Sequence, residues 1–380
     1  MTIIDRYLLR QFVKTFLICY VSLTGLYVVF DAFTNLEGFI RYAAKEGGLL
    51  AVMGRFYSYR AILFFDRTAG LLALAAAMFT VSWMQRHQEL TALMAAGIPR
   101  VRVVVPIVAV AVLVALAGAA SRELVIPRLR DELARKPKDL AGDVPRKLQP
   151  QYDDRTDIHI RGEATVADGQ RIEKPSLRLP ASLGHFARQV TARTAFYRPP
   201  EGARPGGYLL DGVEQPKDVA TRPSLYLGDE PVILTPYDAP DWLQLQPDQC
   251  FIASNVTFEQ LANPQAWREF SSTAQLIAGL RGRSPDFGGG VRVVIHGRFV
   301  QPLLDVTLLF LGLPLVVTRG NRNVFVALGL CGAVVTVFML VVMGCQRLGA
   351  VYAISPALAA WLPLILFAPV AVEMGHSMWE

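Results

Sequence analysis

Charged side chains inside apolar runs are where this chain could do chemistry. Asp305 stands about two turns into the apolar run 299–317, and Arg298 lies seven residues earlier on the same helical face. A carboxylate at that depth costs on the order of 2.5–3.5 kcal/mol on insertion scales, so it must face a cavity or a partner. The pair can line a lipid path or tie helices together. His296 and Arg298, at the edge of the run, can touch phosphate groups or reach back to headgroups. Asp66 and Arg67 enter another apolar run and can balance each other or bind across a dimer seam. The stretch Gln85–Arg102, QRHQELTALMAAGIPRVR, offers a different chemistry. Leu90, Leu93, Met94 and Gly97 share one helical face, and Glu89 sits at its N-terminal edge, where the helix dipole favours a carboxylate. Such a helix, pinned between two membrane spans, can dock into a groove on a soluble partner, with Glu89 facing an arginine or lysine there. It can equally lie among headgroups, anchored by Arg86, Arg100 and Arg102.

Other chemistries find no residues. There is no Walker A motif, so any ATP-driven movement needs a partner ATPase. His159 and His185 are isolated, and no His/Asp/Ser constellation accompanies them. The four cysteines, Cys19, Cys250, Cys331 and Cys345, have no CxxC spacing and form no disulfide framework, so neither a metal nor a cofactor is expected. Cys250 reads as a buried free thiol.

The elements that position these residues follow from composition. Of 380 residues, 52% are hydrophobic and only 18% charged, against about one quarter charged in soluble domains, which argues for lipid as solvent. Most of the charge falls in the middle of the chain, so a water-facing domain is inserted between two membrane blocks. The net charge of +6 is too modest and too spread out for nucleic acid, and anionic lipid is the better counterpart.

Taken in order, residues 3–14 form an interfacial helix, with Ile4, Tyr7, Leu8 and Phe12 opposite Arg6 and Arg10. No small-residue cleavage site follows, so the segment is not a cleaved signal. Spans are expected at about 15–33, 61–84, 103–120, 299–317, 324–344 and 351–372, each near the roughly 20 residues that cross a bilayer core. Between the third and fourth, a charged linker leads to alternating strand patterns from about 148 to 260, with Pro and Gly turns and no helices between them. That pattern predicts an all-β jelly roll or sandwich. Residues 258–282 read as helical with a break at Asn263-Pro264, and 284–290 as a connector. The architecture is therefore a membrane α-helical protein of six spans, 3+3, with an inserted extracytoplasmic all-β domain. Its blocks are 1–122, 123–290 and 291–380.

Orientation follows from Lys and Arg in short loops. With the N-terminus inside, the inner segments carry Arg6, Arg10, Lys14, Arg86, Arg100, Arg102, Arg319 and Arg322, and the outer ones Arg41, Lys45, Arg55, Arg60 and Arg347. Both termini and the 85–102 helix are then cytoplasmic, and the β domain lies outside. Arg41, Lys45, Arg55 and Arg60 flank the outer ends of the first two spans and can hold phosphates or simply anchor the interface.

Several blocks share one resemblance. RHQELTALMAAGIPR, residues 86–100, resembles the coupling helix of the LptF/LptG family, the permease subunits of the lipopolysaccharide-export ABC transporter. IHGRFVQPLLDVTLLFLGLPLVVTRGNR, residues 295–322, is similar to that family's entry into the fourth span, and ISPALAAWLPLILF, residues 354–367, to its last span. RYLLRQFVKTF at the start and VTARTAFYRP with GGYLLDGV in the β domain also fit. The chain departs from the family in an enlarged β domain, with insertions around 199–206 and 215–250, in Tyr208 where the family has a tryptophan, and in Glu37 beside Arg41. The resemblance implies a non-catalytic permease subunit of the bacterial inner membrane. Its partners would be a cytoplasmic ABC ATPase dimer holding the ATP and magnesium, a second six-span subunit (a paralogue or itself) and a periplasmic β-jellyroll bridge. Its cargo would be a lipopolysaccharide-like lipid. Glu89, Leu90, Leu93, Met94 and Gly97 would couple to the ATPase, and Arg41, Arg60, His296, Arg298 and Asp305 are candidates for lipid contact. Two rivals remain from the residues alone: a membrane-anchored β-domain scaffold or sensor, and a proton-coupled carrier using Asp305 and Asp66.

Overall fold

A computed structural model describes residues 3–46, 48–135, 137, 144–153, 155–183, 186–202, 204–280, 289–317 and 324–376. The expected 318–323 turn with Arg319 and Arg322, His185, and residues 284–288 of the connector lie outside them. The chain divides into two compact units: 1–36 with 53–129 and 288–380, and 37–52 with 130–287.

The first unit is helical. Its long helices are α1 (Ile3–Thr34), α3 (Leu49–Arg86), α5 (Arg100–Ala120), α10 (Gly289–Val317), α11 (Val324–Ala350) and α12 (Pro356–His376). Six helices among the described residues are long and apolar enough to cross a membrane. Two are much longer than the expected spans. The interfacial segment and first span form one rod of 32 residues, because no Gly or Pro separates them, and α3 has 38 residues. The last two helices part at Val351–Ser355, where Tyr352 takes a left-handed φ of 59° and Pro356 opens α12. Phe12, Leu72, Ala76, Ala77, Ile107, Val300, Leu304, Leu308 and Phe338 fill the common core.

In the second unit lie α2 (Leu36–Glu46), α6 (Arg130–Ala134), α7 (Phe258–Ala262), α8 (Pro264–Phe270) and α9 (Thr273–Leu280). A capping box on Thr257 and Gln260 starts α7, and Asn263 with Pro264 starts α8. The break at Asn263-Pro264 is where the sequence placed it, and a second break at Ser271-Ser272 adds to it. The β strands are β1 (Arg146–Lys147), β2 (Gln151–Tyr152), β3 (His159–Arg161), β4 (Ala164–Val166), β5 (Arg171–Glu173), β6 (Ser176–Arg178), β7 (Gln189–Arg198), β8 (Gly207–Gln215), β9 (Leu225–Leu227), β10 (Glu230–Leu234) and β11 (Cys250–Ala253). All pairs are antiparallel, in the order β1-β4-β5-β7-β8-β11-β10-β9. β5 and β6 pair with successive halves of β7, and β3 links β6 to β2. The inward residues Ile160, Ile172, Leu177, Val190, Ala195, Leu210 and Ile252 close the core. Buried Tyr208 donates from its hydroxyl to the Val256 carbonyl at 2.8 Å, which satisfies the polar end of a large core side chain.

Candidate functional site

Two features of the helical unit bear on function. The first is a chain of ionic contacts joining three spans. At the end of α5 the helix passes into a π turn, Ser121–Val125, a device often found at functional positions. This turn carries Arg122 and Glu123. Arg122 Nε donates to Asp66 Oδ1 of α3 at 2.9 Å, with the Asp66 side chain only 7% exposed. Glu123 Oε1 faces Arg298 Nη1 of α10 at 3.4 Å. One turn along α10, Gln301 Nε2 donates to Asp305 Oδ1 at 3.0 Å. Gly70 of α3 lies directly against that carboxylate: a Cβ there would fall on the Asp305 oxygen. Asp305 thus enters the apolar bundle where the facing helix has no side chain.

These pairings revise the sequence reading. Asp66 takes its hydrogen-bonded ion pair from Arg122, fifty-six residues away, and Arg67 beside it adds only a weaker Coulombic attraction. Neighbouring residues on a helix point about 100° apart and cannot pair face to face. Arg298 and Asp305 share a face of α10, yet Arg298 turns to Glu123 and Asp305 to Gln301. Arg122, Glu123, Gln301 and Gly70 were not singled out from sequence. The one available signal was the Arg-Glu pair standing directly after an apolar run.

The second feature is the segment between α3 and α5. Gln88 takes a left-handed φ of 59° and ends α3, so the expected rod over 86–98 is a seven-residue helix, α4 (Glu89–Ala95). Its C-terminus is a Schellman motif: Ile98 N–H donates to Leu93 O, Gly97 N–H to Met94 O, and Gly97 has φ 79°. Gly97 is therefore required by backbone geometry. Leu90 is buried in a small cluster with Leu8 of α1, Met84 and Val103, and Leu93 packs partly against it. Thr91, Ala92, Met94, Ala95, Ala96 and Gly97 are exposed. Of the five residues expected to meet a partner, Met94 and Gly97 face outward, while Leu90 and Leu93 hold the helix to its own subunit. Glu89 receives the Tyr7 hydroxyl of α1 on both carboxylate oxygens, at 3.0 and 2.9 Å.

The remaining candidates are scattered. His296 is half-buried on α10, two residues before Arg298. Arg60 is half-buried on α3, its guanidinium 5.1 Å above the Phe56 ring. Arg41 is exposed on α2, in the other unit. In the β domain, His159 stacks on Tyr152 and accepts from Arg161 at 3.0 Å; burial lowers its pKa, and the cations of Arg161 and Arg178 lower it further. Cys250 is fully buried, and burial pushes its thiol up to about 12. Among the described residues no group of three or more His, Cys, Asp or Glu is placed to hold a metal.

Six apolar helices, three of them joined by partly buried ion pairs, with an antiparallel β domain inserted after the third, define a polytopic membrane protein. Residues 6–174 and 248–375 match the lipopolysaccharide export system permease family LptF/LptG, and the chain belongs to that family. It is accordingly a multi-pass inner-membrane permease subunit of the lipopolysaccharide export system. The unmatched residues 175–247 contain β6 to β10; they take in the expected insertions around 199–206 and most of 215–250, and also VTARTAFYRP and GGYLLDGV, which the family match does not support. No curated protein matches the chain.

Proposed function

We propose that this permease extracts a lipopolysaccharide-type lipid from the inner membrane, powered by a separate cytoplasmic ABC ATPase. It passes the lipid through its periplasmic β domain to a β-jellyroll bridge. A second six-span subunit completes the lipid cavity. ATP and magnesium stay on the ATPase, and this chain binds no cofactor of its own. Both termini and α4 lie in the cytoplasm. The observation that carries the reading is the mounting of α4. Its apolar back is riveted to α1 and α3, its two ends are set by left-handed residues, and its Met94 face is left outward. A short helix held that firmly can transmit displacement to the spans on either side. The Asp66–Arg122 and Glu123–Arg298 pairs would carry that displacement from α3 and α5 to α10, and His296, Arg60 and Arg41 would meet lipid phosphates. Commitment of Asp66 to Arg122 weighs against a proton carrier built on Asp66 and Asp305.

The test is co-purification of the ATPase, with ATP-dependent lipid release from proteoliposomes. Met94→Glu and Glu89→Ala are expected to abolish both while the subunit remains folded and membrane-inserted. Normal ATPase capture by both variants would overturn the assignment of α4.

A further inference from the structure

The β domain carries a cationic patch that neither feature above uses. Alternate residues of a strand face opposite sides of its sheet. Ile160, Leu177 and Val190 point into the core, so the residues beside them point outward. The register sets Tyr152, His159, Arg178 and Gln189 in one outward row across β2, β3, β6 and β7. Arg161, Ser176 and Thr191 stand in the next row. Neither row contains a carboxylate. Among the described residues no acidic group pairs with Arg161 or Arg178, both of which are exposed. Arg161 is held in place, because its Nε donates to His159 Nδ1 at 3.0 Å and the imidazole stacks on Tyr152 with ring centroids 4.1 Å apart. Burial first, and the cations of Arg161 and Arg178 second, hold that imidazole neutral. Arg161 and Arg178 are diagonal neighbours on adjacent strands, about 7–8 Å apart in the backbone, so both guanidinium groups reach one small anion. A planar carboxylate gives its two oxygens to one guanidinium fork, whereas a tetrahedral phosphate has oxygens for two. Beside them Gln189 Nε2 donates to Ser176 Oγ at 2.8 Å, which leaves the Ser176 O–H and Gln189 Oε1 to meet hydroxyl groups.

We propose that this outer face of the β domain binds a phosphorylated sugar, and that the sugar is the phosphate-bearing head of the exported glycolipid. Arg161 and Arg178 hold the phosphate from two sides, and Ser176 and Gln189 meet the sugar hydroxyls. The source of the sugar rests on the export reading; the phosphate chemistry rests on the patch alone. Binding draws a proton to His159. The charged and titratable groups around its ring are Arg161 on its own strand, Arg178 on β6 and Tyr152 on β2. A bound phosphate cancels the field of the two cations, and a proton on Nδ1 turns the Arg161 Nε–H away from the ring and toward the phosphate. Affinity therefore rises as the pH falls.

The experiment uses the full chain, purified in its complex, with Thr191 at the edge of the patch replaced by photoreactive p-benzoylphenylalanine. The probes are lipopolysaccharide, the same glycolipid stripped of its phosphates, and radiolabelled glucose 1-phosphate. Lipopolysaccharide is expected to cross-link at position 191, and the stripped glycolipid about tenfold less, the factor that one charge-assisted hydrogen bond supplies. Cross-linking should rise from about pH 8 to about pH 6, and His159→Gln should remove the rise. Arg161→Gln with Arg178→Gln should lower cross-linking by about tenfold or more. Ser176→Asp keeps both arginines and gives them a carboxylate in place, so it should lose the cross-link too. Unchanged ATPase capture shows that each variant is folded. Equal cross-linking of the two glycolipids would overturn the proposal, as would undiminished cross-linking in the double arginine variant or in Ser176→Asp. Retention of glucose 1-phosphate with no glycolipid cross-link would overturn the named source. ATP-dependent lipid release is measured separately on the wild type. Release without a phosphate-dependent cross-link strikes this site alone, and a cross-link without release strikes the export reading and leaves the phosphate site.

Discussion

The Asp66–Arg122 pair offers the sharpest test of how the spans are tied. Two unit charges 2.9 Å apart attract by about 6 kcal/mol at an effective dielectric of 20. Desolvating two ions costs several kcal/mol each, so most of that attraction is offset. The Asp66 side chain is 7% exposed and that of Arg122 21%, so solvent screens the pair only in part. Removing one partner leaves the other charge unpaired, and each of Asp66→Asn and Arg122→Gln should cost about 3 kcal/mol. The double variant strands no charge and should cost about 2 kcal/mol less than the two singles together, a coupling of about thirtyfold. Equilibrium unfolding of all four proteins in mixed micelles, followed by far-UV circular dichroism and tryptophan fluorescence, measures that cycle. Costs that add within about 0.5 kcal/mol would refute the pairing and return Asp66 to a role in proton or lipid movement.

Three further outcomes follow from the geometry. Gly70→Ala should destabilise the helical unit by about 1–3 kcal/mol through overpacking against Asp305, and Asp305→Ser in the same chain should restore most of the loss; unfolding in the same micelles reads both. In the β domain, burial first, and the neighbouring Asp131 carboxyl second, hold the Glu259 carboxyl above its ordinary 4.5, against the opposing pull of Arg130. The folded state therefore keeps a proton that the unfolded chain gives up near 4.5. Stability falls as pH rises from there through the raised pKa, and Glu259→Gln should flatten that slope in hydrogen exchange over 258–270. A variant keeping Cys250 as its sole cysteine should resist maleimide at pH 8 until denatured, because burial holds the thiol at about 12; labelling of the native protein would contradict the buried placement.

Local patterns in the chain settled much of this protein before any fold was known. Apolar runs of span length, the charge-rich insert, the alternating strands and the missing nucleotide motif are properties of short windows. So are Gly97 and Asn263-Pro264, whose backbone demands are the same in any fold. The family resemblance rests on such windows too. The strand Arg146–Lys147 lies outside the stretch read as β because two residues are too short to display a period.

Partner choice was decided only in three dimensions. Asp66 has Arg67 beside it in sequence and Arg122 beside it in space, because α5 packs against α3 where the π turn aims Arg122 across. The amphipathic pattern of α4 marked Leu90, Leu93 and Met94 as one set. The packing of α1 split them, taking Leu90 inward and leaving Met94 out. Periodicity tells which residues share a face of a helix. Which neighbour that face meets depends on contacts between distant segments, and only the packed bundle fixes those.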